Sequence, residues 1–143
     1  MGHSSVSLRG KHICAKDFKV QVWLFLLVRE IDNMPEIEFW LKEARDFWQE
    51  EATLFINGCL DPELERFLTD NERLKLTHKL CQSVHENLLA HGNKISKDFL
   101  NQLCGCKPPC DFQIDNDTEL YLRFSRALLK LLEGNQMQEM EYA

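Results

Sequence analysis

Apolar positions along this chain recur with the period of a helix, and stretches with the two-residue period of a strand are not evident. From about Lys16 to Ile31 apolar residues surround nearly the whole helical circumference. That predicts a central helix covered on several sides. A short strand through Val20, Val22, Trp23 and Phe25 is the alternative, and the length of the run favours the helix. Asn33-Met34-Pro35-Glu36 reads as a turn followed by proline in the first turn of a second helix. That helix runs to about Phe55, with Ile37, Trp40, Leu41, Ala44, Trp48, Ala52 and Phe55 on one buried stripe and Gly58 as its stop. Asp61-Pro62-Glu63 repeats the cap, proline and acid pattern, and a short helix follows through Leu68. Asp70 caps a longer helix from about Glu72 to Ala90, with Leu74, Leu80, Cys81, Val84 and Leu88 inward and Gly92 after its end. Ser96 caps a shorter helix that carries Phe99, Leu100 and Leu103. Consecutive prolines make Gly105-Cys106-Lys107-Pro108-Pro109-Cys110 irregular. The last helix starts near Asp115 to Asp117, carries Leu120, Tyr121, Phe124, Leu128, Leu131 and Leu132, and closes at Gly134. The expectation is an all-α, single-domain bundle of about six helices over residues 1–143, with 1–12 and 135–143 as loose termini.

Composition narrows this picture without changing it. A chain of 143 residues, 44% apolar and 28% charged, can build its own core and is neither disordered nor a multi-pass membrane protein. The apolar run Val20–Val28 is shorter than the roughly 20 residues that cross a bilayer. It follows Arg9, Lys11, Lys16 and Lys19 as in a signal peptide, but Arg29, Glu30 and Asp32 stand where small residues should precede cleavage. Val6 breaks the myristoylation pattern after Met-Gly. Cys14, Cys59 and Cys81 lie in or beside apolar stretches and read as reduced, packed thiols. A cytoplasmic location follows as an expectation.

Charge is distributed in blocks. Residues 30–72 hold thirteen acids and three bases, a net charge of -10 within a chain whose total is -6. The acidic total argues against a phosphate-driven nucleic-acid binder. A recognition helix around Arg73, Lys75 and Lys79 is conceivable, but the acidic segment before it repels phosphate. Within the acidic block, a helical wheel sets Phe39, Glu43, Asp46 and Glu50 opposite the buried stripe, with Glu36 and Phe47 on the flank. Carboxylates around an outward aromatic suit a basic protein partner, the charge speeding encounter and the ring anchoring it. Asp61, Glu63 and Asp70 add steering charge. The plainer alternative is that these acids only solvate the helix and Phe39 meets another helix.

Catalytic and metal motifs are sparse. No Glu-x-x-His pair for a di-iron bundle, no Gly-x-Ser-x-Gly elbow and no Gly-rich phosphate loop occurs. Cys104, Cys106 and Cys110, with His78, Cys81 and His85 on one helix face, supply enough ligands for zinc but lack the paired Cys-x2–4-Cys spacing. A disulfide among Cys104, Cys106 and Cys110 is the other use open to them. We expect no metal, no cofactor and no enzymatic activity.

The segment Phe39-Trp40-Leu41-Lys42-Glu43-Ala44-Arg45-Asp46-Phe47-Trp48, the acidic turn Asp61-Pro62-Glu63 and the small helical format are together similar in character to helical immunity proteins of bacterial contact-dependent and polymorphic toxin systems. The resemblance implies a cytosolic inhibitor that binds and blocks a basic toxin domain, often a nuclease. Its carboxylates would stand in for phosphates, and Glu36, Phe39, Glu43, Asp46, Glu50, Asp61, Glu63 and Asp70 would form the partner surface. The alternative is a non-enzymatic helical adaptor or regulatory domain that takes a peptide or helix in a groove. Either reading needs a protein partner and neither a nucleic acid nor a membrane.

Overall fold

The structure is a computed structural model that describes residues 2–54, 60–105, 111–134 and 140–143. Among these residues the chain forms six helices and five short strands, so the fold is mostly helical but not purely all-α. The order is β1 (His3–Leu8), β2 (Lys11–Lys16), α1 (Asp17–Asp32), α2 (Phe39–Leu54), α3 (Leu64–Phe67), α4 (Asn71–Ala90), β3 (Lys94–Ile95), α5 (Lys97–Cys104), β4 (Asn116–Asp117), α6 (Thr118–Glu133) and β5 (Met140–Tyr142).

α1 is the central helix that its pattern predicts. It buries residues all round, from Val20 and Val22 to Trp23, Leu24 and Ile31, and packs against α2, α4, α5, α6 and the β1–β2 pair. Trp23 meets Phe124 of α6 edge-on at 5.8 Å, and Gln21 Nε2 donates to the Ala52 carbonyl of α2 at 2.6 Å. The second bond satisfies a buried amide that would otherwise cost about 1–3 kcal/mol.

Residues 3–8 are the main correction to the sequence reading, which makes 1–12 a loose arm. Val6 and Leu8 of β1, with Ile13 and Ala15 of β2, alternate into the core. Only two residues join the strands, and Arg9 and Gly10 both take positive φ, 54° and 78°, as a type I′ hairpin requires. Arg9 is held there by its backbone N–H, which donates to Glu65 Oε1 at 2.8 Å. The inward Ser4 hides the alternation. Its Oγ donates to the buried Asp17 carboxylate at 2.5 Å and accepts from the Leu60 N–H at 3.0 Å, so a polar residue takes a core position. The C-terminal segment is corrected as well. β5 pairs in parallel with β2, giving the order β1-β2-β5. Residues 135–139 of the expected tail lie outside the described residues.

Two helix starts also move. Asn33 and Met34 donate their N–H groups back to the last turn of α1 and so cannot open α2. Residues 35–38 make the connection, and α2 begins at Phe39, leaving Glu36 exposed ahead of the helix. Glu63 takes a left-handed conformation (φ 49°), which delays α3 to Leu64 and shortens it to one turn. Phe55, Gly58 and Cys59 fall outside the described residues, as do Cys106 to Cys110.

The remaining caps agree with the sequence. Asp70 Oδ1 accepts from the Arg73 N–H at 2.9 Å, and Ser96 Oγ from the Phe99 N–H at 3.1 Å. Gly134 closes α6 at φ 71°. Asp70→Ala should lower stability by about 1 kcal/mol in urea unfolding. A loss below about 0.3 kcal/mol would show that the cap is replaced by water. β3 and β4 join the starts of α5 and α6, with Lys94 Nζ 2.7 Å from Asp117 Oδ1.

Candidate partner-binding surface

α2 buries Trp40, Leu41, Ala44, Trp48 and Ala52 and packs against α1 and α3. The opposite stripe follows from 100° per residue, and Phe39, Glu43, Asp46 and Glu50 are all exposed on it. Phe39 is 74% exposed, so most of its ring faces solvent. Leu54, 65% exposed, stands near the other end of the same face. Phe47 lies on the flank, half-buried against Phe67 at 5.7 Å, with the Arg66 guanidinium 5.1 Å from its ring centre. Asp46 is paired with Arg45 at 3.3 Å, and Arg45 also holds Asp32 at 2.9 Å.

At the C-terminal end of α2 the carboxylates converge with a second segment. Trp48 is wholly buried and its Nε1 donates to the Pro62 carbonyl at 2.8 Å, which fastens residues 61–64 to the helix. Asp61 Oδ1 accepts from the Glu63 N–H at 2.9 Å and stabilises the left-handed turn there. Glu51, one position past the predicted stripe, then faces Asp61, Glu63 and Glu50. Burial raises its carboxyl pKa above the ordinary 4.5. A hydrogen bond from the Asp61 backbone offsets this in part, and repulsion from Asp61, Glu63 and Glu50 adds to it. Beside this cluster, Ser7, Asp61, Glu63, Glu65 and Arg66 line a shallow depression of about 230 Å3 open to solvent.

The structure thus brings Glu50, Asp61 and Glu63 together with Glu51, a residue the sequence reading does not select. Nothing local marks Glu51, because its surroundings arrive from beyond residues 55–59. Asp70 lies elsewhere, at the start of α4, where its carboxylate caps the helix and pairs with Arg73 at 3.7 Å.

Because the folded pKa of Glu51 is raised, the folded state holds a proton that the unfolded state releases. Stability therefore falls as pH rises through the window above about 4.5. Glu51→Gln should raise the melting temperature at pH 7, and the gain should vanish below pH ~4, where both states are protonated. A melting temperature no higher than wild type at pH 7 would contradict the crowding of charge described here.

The remaining polar clusters are structural in form. His85 Nδ1 lies 2.9 Å from Ser125 Oγ, but Ser125 is wholly buried and beyond reach of a substrate. Burial, reinforced by Arg126, pushes the His85 pKa down. His78 pairs with Glu133 at 2.9 Å, and burial pushes the Cys81 thiol up, so the His78–Cys81–His85 face is occupied by packing of α4 on α6. Among the described residues no group of three or more His, Cys, Asp or Glu could hold a metal ion. No helix among them is long and apolar enough to cross a membrane.

No family model, no curated protein and no solved structure matches this chain.

Proposed function

We propose that the protein is a toxin-immunity protein, binding and blocking a basic toxin domain, most naturally a nuclease, through the outer face of α2 and the adjoining 61–65 segment. The observation that carries this reading is Phe39. A phenylalanine 74% exposed is held in line with Glu43, Asp46 and Glu50 on a helix whose other face is firmly buried. Apolar anchors ringed by charge are how compact interfaces combine affinity with fast encounter. The crowded carboxylates around Glu51 favour the same kind of partner, since an incoming lysine or arginine relieves their repulsion. Inhibition would be stoichiometric occlusion, with no catalytic residue, metal or cofactor contributed by this chain.

The adaptor reading retains one observation in its favour. α1, α4 and α5 border a cleft of about 230 Å3 lined by Leu26, Arg29, Glu30, Asn87, Leu88 and Phe99. That volume suits a few side chains or a small ligand rather than a whole helix.

Capture from the source organism at low and high salt separates the two. A basic partner, lost at high salt and inhibited one-to-one, supports the immunity reading. A partner held equally at both salts overturns it and favours the cleft.

A further inference from the structure

The outward face of the small sheet gathers two soft sulfur donors and an imidazole nitrogen. Along β2, Ile13 and Ala15 turn into the core, which places His12 and Cys14 on the other face. The parallel register sets Met140 beside His12 and Tyr142 beside Cys14. Paired strands lie about 4.8 Å apart, and alternate residues of one strand about 7 Å apart. The His12 imidazole, the Cys14 thiol and the Met140 thioether therefore rise from three adjacent corners of one surface.

His12 is already oriented. Its Nδ1 lies 2.6 Å from Ser7 Oγ across the hairpin. With the hydroxyl accepting the Nδ1 proton, the ring presents its Nε2 lone pair outward, as metal-binding histidines do when a neighbour fixes their tautomer. Cys14 is a free, partly buried thiol, and Met140 is exposed.

We propose that His12 Nε2, Cys14 Sγ and Met140 Sδ form a binding site for Cu(I). One imidazole, one thiolate and one thioether suit a soft monovalent ion, whereas hard cations need carboxylate or carbonyl oxygen. The remaining outward residues of β1 and β2 are His3, Ser5, Ser7 and Lys16, none of them a carboxylate. Three donors also fall one short of the closed tetrahedral set of structural zinc. Binding replaces the thiol proton, which leaves to solvent, and copper keeps its oxidation state. The site is independent of the acidic surface on α2.

The test is an anaerobic titration of the full chain with Cu(I) against the chelator bathocuproine disulfonate, read by the ring 15N resonances of its histidines. The His12 Nε2 resonance should move on copper uptake, and Cys14→Ser should abolish that movement. Met140→Leu removes a direct ligand and should weaken uptake by more than about ten-fold, the loss that even an outer partner costs, while circular dichroism stays unchanged. The proposal is overturned by no uptake against the chelator, by uptake that leaves the His12 ring unmoved, or by wild-type binding in Met140→Leu.

Discussion

Trp48→Ala should cost about 3–5 kcal/mol, the range for removing a large aromatic from a packed core. Trp48 is wholly buried, meets Phe67 edge-on at 5.8 Å and gives its indole N–H to the Pro62 carbonyl. Alanine removes the ring, opens a cavity and leaves a carbonyl without its donor. Against a total stability of about 5–15 kcal/mol, the variant should be close to unfolding at room temperature. Trp48→Phe keeps most of the packing and loses the hydrogen bond, so it should cost about 1 kcal/mol through that bond. Urea unfolding monitored by circular dichroism distinguishes them. A loss under ~1 kcal/mol for the alanine variant would mean that the 61–64 segment is not fastened through this side chain. Its Asp61 and Glu63 would then have no fixed relation to Glu51.

Reversing Glu43, Asp46 and Glu50 to lysine should slow association with a basic partner by about ten- to a thousand-fold at low salt. The three side chains are exposed on the outer face of α2, so helicity should be unchanged. Losing the Asp46–Arg45 pair should cost less than about 1 kcal/mol. The difference between variant and wild type should shrink as salt rises, because exposed charges are screened over about 10 Å at 0.1 M. Phe39→Ala should act differently, raising the dissociation rate with little effect on association. Stopped-flow binding at two salt concentrations reads both. An unaltered low-salt on-rate in the triple variant would refute the acidic-face reading.

Much of the helical scaffold was legible because its signals are local. The all-round apolar run of α1, the Asp70 and Ser96 caps and the Gly134 terminus each depend on residues within a few positions of one another. The Phe39–Glu43–Asp46–Glu50 stripe was legible for the same reason, since helical geometry alone aligns it. What escaped depends on distant partners. Ser4 enters the core because Asp17 and Leu60 satisfy its hydroxyl. β5 exists because β2 offers it an edge, and Glu51 is crowded because Trp48 pulls Pro62 close. The hairpin left a faint trace in Val6, Leu8, Ile13 and Ala15 flanking Arg9-Gly10, obscured by the serines between.

The sheet order carries a consequence for biosynthesis. β1 and β2 can zip together as soon as they leave the ribosome, because two residues close their turn. β2 receives its second neighbour only when Met140 to Tyr142 have been made. At about 5–20 residues per second, the nascent chain waits on the order of ten seconds with that edge unpaired. An open edge is a template for pairing with another chain, and charged residues along it are the usual protection. Lys11 and Lys16 stand at the two ends of β2, where a second nascent copy would have to approach.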